Sequence, residues 1–362
     1  MDAKTIHSHA ICPICPILPP YILRAIAQNG TAQQRSTALQ TLAADQTFRL
    51  LRATQALPAQ PAVRRRVTLA VEGQPQRTIF DAHNTQTLPG DMVRGEGAPS
   101  TGDPATDEAY DGLGATYNFY WKTYERNSID DSGLPLNATV HFGQHYNNAF
   151  WNGERMVFGD GDGELFNRFT ISLDVIGHEL THGVTEDEAR LIYSGQPGAL
   201  NESLSDVFGS LVKQFALQQT ADQADWLIGA GLFTERVQGV ALRSMKAPGT
   251  AFDDPVLGKD PQPAHMRDFV YTFEDNGGVH INSGIPNHAF YLAAVELGGY
   301  AWEKAGLIWY ETLRDSGLRP NSGFRTFARR TLANAARLFG QNSAEQQAVR
   351  VAWSKVGLEI SA

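Results

Sequence analysis

The stretch Gly177-His178-Glu179-Leu180-Thr181-His182 has the pattern H-E-x-x-H. On a helix, side chains four residues apart point the same way, so both imidazoles can reach one metal ion. The glutamate between them would lie beside the metal, where it can accept a proton from a metal-bound water. The pattern alone is short enough to arise by chance on a surface helix, so the rest of the sequence has to decide.

A second stretch, Asn201-Glu202-Ser203-Leu204-Ser205-Asp206, begins soon after the first. A second helix can bring the Glu202 carboxylate back to the metal as a third ligand. Two histidines and one glutamate leave the fourth position open, which is the coordination of a hydrolytic zinc rather than a structural one. Asn201 and Asp206 can orient the two imidazoles through their other ring nitrogens. The two stretches together predict one catalytic zinc ion.

A third stretch, Asp275 to Gly284, places His280 five residues after an aspartate. An imidazole held by a carboxylate can stabilise an oxyanion or give up a proton. Asp275 and His280 are therefore candidate catalytic residues.

The composition is that of an ordinary globular protein, with 42% apolar and 19% charged residues over 362 positions. This length favours two lobes plus an extra segment. The formal net charge of −9 argues against a nucleic-acid partner. Because no stretch approaches the ~20 apolar residues of a membrane span, we expect no membrane partner either. We expect a monomer that acts on peptides or proteins.

The first 60 residues, called the leader below, differ from the rest in charge. They contain five basic and two acidic residues, a net charge of +3, so the remainder carries −12. A basic segment on an acidic body is typical of a prosegment that docks on its own enzyme. Residues 32–55 have a helical spacing of apolar residues, with Leu39, Leu42, Phe48 and Leu51 as a stripe. The linker at 57–61 and the basic run at 64–66 are candidate cleavage points.

The N-terminus lacks the features of a secretory signal. Apolar residues cluster between Ile11 and Leu23, but four prolines interrupt them and no basic region precedes them. We expect synthesis in the cytoplasm without a secretory signal peptide, with later export by another route left open. Cys12 and Cys15 can be part of a metal site in the leader, a thiolate cap on the catalytic zinc, or a reduced tail. The sequence favours the tail, since a zinc knuckle needs a second cysteine pair.

From about Phe80 to the C-terminus, the stretches above resemble the thermolysin family of zinc endopeptidases. The blocks that carry this resemblance, in the family's order, also include 146–153, 159–163 and 242–245. The run Pro19-Pro20-Tyr21-Ile22-Leu23 is similar to the short propeptide of the protealysin subfamily. The resemblance implies an α+β fold with a leader (1–60), a β-rich N-terminal lobe ending in the zinc helix (61–185) and an α-helical C-terminal lobe (186–362).

The resemblance also implies roles for individual residues. It places zinc on His178, His182 and Glu202, and makes Glu179 the catalytic base. His280, oriented by Asp275, and Tyr193 match the residues that stabilise the oxyanion. The positions that hold the substrate backbone match Asn148, Ala149 and Arg243. The pocket for the side chain after the scissile bond matches Phe166, Phe169, Val175, Ile228 and Leu242. All five are apolar, so we expect cleavage on the amino side of bulky hydrophobic residues.

One departure from the family concerns calcium. Thermolysin-like enzymes often carry a paired calcium site built from five acidic residues, of which Asp174 and Asp225 match two. The other three positions fall on Lys213, Leu227 and Ala230. An ammonium group and two apolar side chains supply none of the oxygen ligands that calcium needs. We therefore expect the paired calcium site to be absent.

The leading interpretation is a zinc endopeptidase made as a zymogen, with Pro19–Leu23 extended across the cleft as an intramolecular inhibitor. A zinc aminopeptidase is one alternative, but its usual gap between the motif and the third ligand is one residue shorter. A non-catalytic metal-binding or interaction protein on a protease fold is another. Intact Glu179, His280 and Tyr193 argue against it, because a binding module needs none of them.

Overall fold

The structure is a computed structural model and describes residues 14–55 and 72–360, with the side chains of 52–55 left aside. The helices are α1 (Pro20–Asn29), α2 (Ala32–Gln55), α3 (Pro104–Tyr124), α4 (Leu173–Glu188), α5 (Gly195–Leu217), α6 (Asp275–Asn282), α7 (Gly284–Leu297), α8 (Ala305–Leu313), α9 (Phe324–Phe339) and α10 (Ala344–Lys355). The strands are β1 (Arg77–Asp81), β2 (Asp91–Gly95), β3 (Leu136–Val140), β4 (Ala149–Trp151), β5 (Met156–Phe158), β6 (Leu227–Ile228), β7 (Arg243–Ser244), β8 (Asp253–Asp254) and β9 (Gly258–Lys259).

A five-stranded mixed sheet lies in the N-terminal lobe, in the order β2-β1-β3-β5-β4. The central pairs β1–β3 and β3–β5 are parallel, while β2 and β4 pair antiparallel at the two edges. Strand β4 is thus an edge strand whose free edge can pair with another extended chain. The C-terminal lobe is mostly helical, from α5 to α10. The predicted α+β architecture, with its zinc helix between a β-rich and a helical lobe, agrees with these elements.

Helices α4 and α5 approach closely because glycine stands where they meet. A Cβ on Gly209 would lie 2.3 Å from the Asp174 carbonyl oxygen and 2.9 Å from the His178 amide nitrogen. A Cβ on Gly177, in α4, would lie 3.0 Å from the Gly209 Cα. Any larger residue would push the helices apart. This contact lets side chains of α5 reach the metal-binding face of α4.

The leader contributes α1 and α2, which pack together. Residues 32–55 form a helix as predicted, but the predicted apolar stripe is only half right. Leu42 and Phe48 pack against the body, whereas Leu39 and Leu51 are 57% and 49% exposed. Leu39 and Leu51 are exposed because they lie outside the face of α2 that packs on the protein. That face contains Thr41, Ala44 and Asp45, all of which are buried.

The extended conformation predicted for Pro19–Leu23 holds for Pro19 and is wrong for Pro20–Leu23. Pro19 caps α1 and Pro20 is its first helical residue, with Ile22 and Leu23 buried in the first turn. Proline has a fixed φ near the helical value, and the N–H that it lacks would be unpaired at that position anyway. The residues before this helix, Ile14–Leu18, are not helical and are also buried.

Two sequence-based predictions, the linker at 57–61 and the basic run at 64–66, lie outside the described residues, as does Cys12. Among the described helices, none is both long and apolar enough to span a bilayer.

Candidate metal centre and substrate cleft

The two histidines of the first stretch lie on one face of α4, buried beneath the leader. His178 and His182 point their Nε2 atoms at the same place, 3.0 Å apart. Glu202, on α5, completes the group: its carboxylate oxygens lie 3.6 Å from His178 Nε2 and 3.5 Å from His182 Nε2. Each of the three is at most 3% exposed. The i, i+4 spacing and the glycine contact between the helices together produce this convergence.

The other nitrogen of each imidazole is held by α5. His178 Nδ1 donates to Asp206 Oδ1 over 2.8 Å, and His182 Nδ1 donates to Asn201 Oδ1 over 2.8 Å. These bonds leave both Nε2 atoms as lone-pair donors toward the shared point. Burial lowers the pKa of His182 to about 4, which keeps the ring neutral. Two imidazoles and a carboxylate are a zinc donor set.

The carboxylate of Glu202 also shows that these residues fit a cation. Burial opposes its ionisation, but His280, His182 and His178 lower its pKa below the usual value. Its Oε2 atom is buried and finds no hydrogen-bond donor among the described residues. An ionised, buried oxygen without a donor is costly unless a cation satisfies it. A zinc ion bound by the three side chains would do so.

Glu179 lies next to this group but faces the strand rather than the metal. Its Oε2 accepts the Trp151 amide of β4 over 3.0 Å, and its Oε1 has no hydrogen-bond donor among the described residues. Burial and the nearby Glu202 raise its pKa well above the usual range, while the amides of Trp151 and Ile17 oppose the shift. The carboxylate is thus positioned by backbone and presents one unbonded oxygen.

Tyr193 and His280 also lie next to Glu202. The Tyr193 hydroxyl donates to Glu202 Oε1 and lies 3.3 Å from His280 Nε2. His280 Nδ1 donates to Asp275 Oδ1 over 2.6 Å, and its amide donates to Asp275 Oδ2 over 2.9 Å. Burial lowers the pKa of His280, but Asp275 outweighs it and the net shift is upward.

The fold of the third stretch explains this pair. Asn276, Gly277 and Gly278 all have positive φ, of 51°, 85° and 74°. Two consecutive glycines allow the chain to turn back in a conformation that other residues adopt at a cost. The turn brings the Asp275 carboxylate onto the amide and the ring of His280.

Arg243 connects the metal centre to the cleft. Its guanidinium makes two hydrogen bonds to Asp206, of 2.9 and 2.8 Å, and one of 3.1 Å to the Ile17 carbonyl. Asn287 Nδ2 also donates to Asp206, over 2.8 Å. No sequence feature pointed to Asn287, because it lies far along the chain and outside any motif used above.

The leader makes main-chain contacts along the edge strand. The Ile17 amide donates to the Ala149 carbonyl over 3.1 Å. The Leu18 amide donates to Asn148 Oδ1 over 2.9 Å, and Asn148 Nδ2 donates to the Leu18 carbonyl over 3.3 Å. With the Arg243 bond to Ile17, all three residues assigned to hold a substrate backbone therefore hold the leader.

The predicted specificity pocket is apolar and buried. Its five members are Phe166, Phe169, Val175, Ile228 and Leu242, and each is at most 1% exposed. All five belong to the same apolar core as Ile22 and Leu23 of the leader.

Two sequence regions match thermolysin metallopeptidase domains: residues 28–186 match the catalytic domain and residues 189–358 the α-helical domain. The chain belongs to the thermolysin family of metallopeptidases. It is 57% identical to an extracellular metalloprotease of Pectobacterium carotovorum, over 96% of this chain and 97% of that protein. It is 50% identical to the protease PrtS of Photorhabdus, over 95% and 92%.

Among solved structures, the precursor of protealysin, a metalloproteinase from Serratia proteamaculans, is similar with a TM-score of 0.87. The identity is 57%, over 95% of this chain and 99% of that one. These matches confirm the predicted family, its two-lobe fold and a metallopeptidase made as a precursor. The thermolysin family implies zinc, which the donor set fits.

The prediction about location is wrong. The similar protein of Pectobacterium carotovorum is named an extracellular metalloprotease, and a protein of Serratia marcescens, 49% identical over 80% of this chain, an extracellular minor metalloprotease. The prediction of a cytoplasmic location was based on the absence of one type of export signal, a continuous apolar helix after a basic region. The apolar residues between Ile14 and Leu23, which the prolines interrupt, are buried in the folded protein, in part within α1.

Proposed function

We propose that the chain is a zinc endopeptidase made as a zymogen, in which the leader fills the substrate cleft until it is cut away. The observation that carries this proposal is the set of hydrogen bonds that the main chain of Ile17–Leu18 makes with the Ala149 carbonyl and with the side chains of Asn148 and Arg243. Main-chain pairing along an edge strand accepts any sequence in an extended conformation. A cleft of this kind suits cleavage within a chain.

The chemistry is shared between a metal and the side chains around it. When bound by His178, His182 and Glu202, zinc would polarise the scissile carbonyl and acidify a water. Glu179 is the base, and its unbonded Oε1 is the atom that takes the proton of the attacking water. The Trp151 amide holds the other oxygen and so fixes the carboxylate beside the metal rather than on it.

Tyr193 and His280 supply the second half of the site. Their polar atoms lie 3.3 Å apart, close enough to donate to a single oxygen. In the proposed reaction they stabilise the charge that develops on the former carbonyl oxygen. Asp275 holds the His280 ring in the orientation that this requires.

Specificity follows from the five-residue apolar pocket. A hydrophobic pocket gains about 25 cal/mol for each Å² of apolar surface buried, while a charged side chain would lose its hydration. We propose that cleavage falls on the amino side of bulky apolar residues such as Leu or Phe.

We also propose that the paired calcium site is absent. The Lys213 ammonium lies 2.6 Å from Asp174, 3.0 Å from Asp225 and 2.8 Å from the Leu227 carbonyl oxygen. The ammonium group thus forms ion pairs with the two acidic residues that match the family's calcium ligands. The Ala230 carbonyl accepts the Ser172 hydroxyl, over 2.8 Å.

The domain limits remain part of the proposal: a leader at 1–60, a lobe at 61–185 and a lobe at 186–362. A cut within the linker at 57–66 would release α1 and α2 together and open the cleft.

Replacement of Glu179 by glutamine tests the mechanism. We expect zinc to stay bound and peptide hydrolysis to fall by ~100-fold or more, since a base is lost and no ligand is. Glu202→Ala should instead lose the metal. Exposed Glu235→Gln is the matched control and should keep both zinc and activity. Near-normal turnover by the Glu179 variant in zinc-loaded, leader-free enzyme would refute the proposed base.

Peptides with blocked N-termini separate this proposal from an aminopeptidase. An endopeptidase cleaves them, whereas an aminopeptidase needs the free amine. A protein that binds zinc but hydrolyses neither blocked nor free peptides after leader removal would be the non-catalytic alternative.

A further inference from the structure

A leader cysteine lies at the metal centre. The Cys15 sulphur, a ring nitrogen of His182 and a carboxylate oxygen of Glu202 all lie within 4.8 Å of one another. Cys15 is 3% exposed and packs with Tyr193 and Val279. The sequence favoured a reduced tail for this residue, and the buried position of Cys15 contradicts that interpretation.

The position of Cys15 is fixed by its neighbours on both sides. Ile17, two residues later, is held through its amide by Ala149 and through its carbonyl by Arg243. Ile14, the residue before, is fully buried in a cluster with Phe142 and Phe150. The thiol is therefore held at the metal centre by contacts that do not involve the sulphur.

The second observation comes from the body of the enzyme. Glu202 Oε2, 1% exposed as a residue, has no hydrogen-bond donor among the described residues. The nearest ring nitrogens, of His280 and His178, lie 3.5 and 3.6 Å away. This oxygen requires a cation, and the Cys15 sulphur lies within 4.8 Å of an oxygen of the same carboxylate.

We propose that Cys15 is the fourth zinc ligand in the precursor. The inference rests on the proposed zinc site. Zinc takes four ligands in a tetrahedral arrangement, and thiolate is among those it binds in proteins. A centre with two histidines, one glutamate and one cysteine is closed, whereas three ligands would leave a place for water. The leader then blocks the reacting water as well as the substrate.

The proton balance of this arrangement is simple. The Cys15 thiol gives up its proton to solvent when its sulphur binds zinc, because only the thiolate is a ligand. When the cut leader leaves, the sulphur takes up a proton again and water takes its place. No oxidant or reductant is needed.

Zinc X-ray absorption on the full-length precursor tests the proposal directly. To prevent self-cleavage, the measurement uses the Glu179→Gln background. We expect one sulphur at ~2.3 Å beside nitrogen and oxygen ligands at ~2.0–2.2 Å. The same protein with Cys15→Ser should show nitrogen and oxygen only, and Cys12→Ser is the matched control that should keep the sulphur.

A competition measurement gives a second readout. Loss of a direct ligand should weaken zinc retention against a chelator by more than the ~10–100-fold that loss of an outer partner costs. The expected result is therefore a fall of more than ~100-fold for Cys15→Ser and no change for Cys12→Ser. Far-ultraviolet circular dichroism checks that both variants are folded.

The outcomes separate the two claims. Zinc with only nitrogen and oxygen ligands in the precursor overturns the role of Cys15 and leaves the proposed enzyme intact. A sulphur signal that disappears with Cys12 and not with Cys15 also overturns it. A precursor that binds no zinc refutes the proposed function, and the inference with it.

Discussion

Replacing Lys213 tests whether an ammonium group has taken over the structural work of calcium. The side chain of Lys213 is 12% exposed and that of its partner Asp174 is 2% exposed, whereas Asp225 is 45% exposed. Burial lowers the pKa of Lys213, but Asp174 and Asp225 outweigh burial and raise that pKa overall, so the ammonium stays charged. The buried half of this arrangement dominates its energetics, because an exposed ion pair is worth only ~0–1 kcal/mol.

The magnitude follows from what each substitution leaves behind. Lys213→Met keeps the apolar stem but leaves the Asp174 carboxyl group buried, with the Gly229 amide as its remaining hydrogen-bond donor among the described residues. Removing one partner of a buried pair costs ~3–5 kcal/mol. At ~2.1 cal/mol/K of unfolding entropy per residue, a chain of this size should melt roughly 4–7 °C lower.

Calcium distinguishes this explanation from a simple packing defect. Lys213→Glu restores an acidic residue beside Asp174 and Asp225 and frees the Leu227 carbonyl for a cation. Without calcium it should melt at least as low as Lys213→Met, because a third carboxylate adds repulsion. Calcium at 100 times its dissociation constant would return about 2.7 kcal/mol. The parent, with Lys213 in place, should not respond to calcium.

Differential scanning calorimetry on zinc-loaded protein, with EGTA or millimolar calcium, measures all three. The matched control is Lys304→Met, which removes a 2.9 Å pair with Glu345 from a half-exposed lysine and should shift melting by about 1–2 °C at most. The reasoning fails if Lys213→Met melts with the parent. It also fails if EGTA lowers the melting temperature of the parent by several degrees.

Three further outcomes are expected. Profiling of the mature enzyme with a peptide library should show bulky apolar residues after the cut; a preference for charged residues there would contradict the assignment of the pocket. Replacing Pro19 and Pro20 with glycine should loosen the start of α1 and speed maturation, and an unchanged rate would mean that α1 is dispensable for inhibition. Burial raises the pKa of Asp45 to about 6, against bonds from Tyr146 and Asn148, so its docked form favours the proton. The protonated Asp45 side chain therefore stabilises the docked leader fully below about pH 3.8, and this stabilisation is lost as the pH rises through about 6. Inhibition of the mature enzyme by the isolated leader should weaken about tenfold between pH 5 and pH 7.5. Asp45→Asn should remove this pH dependence.

The metal centre was largely predictable because its determinants are local. The i, i+4 spacing places His178 and His182 on one face of a helix whatever surrounds them. Whether the Glu202 carboxylate reaches the two histidines depends on how closely α4 and α5 pack. Gly209 permits this close packing, but the spacing of residues in the sequence does not predict it. The resemblance to a known family supplied that step. The same holds for Arg243, whose contact with the leader depends on the folded lobes.

The leader was harder to predict, because proline is compatible with two conformations. The run Pro19–Leu23 fits an extended segment and equally the first turn of a helix. The burial of Ile22 and Leu23 against the body favours the helix. The position of Cys15 was missed for a related reason: a lone cysteine has meaning only when the ligands of another segment lie beside it. Three-dimensional proximity to His182 and Glu202 is what the sequence does not contain.

The opposite net charges of the leader and the remainder do not account for most of the docking energy. Among residues with described side chains, the ion pair that joins the leader to the body is Arg24–Glu274, 3.0 Å long and exposed at both ends. Such a pair contributes ~0–1 kcal/mol. Six isoleucine and leucine side chains of the leader are instead at most 1% exposed: Ile14, Ile17, Leu18, Ile22, Leu23 and Ile26. At ~1.5–3 kcal/mol each, their burial exceeds the ion pair by about an order of magnitude. Because that burial depends little on salt, we expect the leader to stay docked over a wide range of ionic strength, and we expect the cleft to open when the chain is cut rather than when its charge is screened.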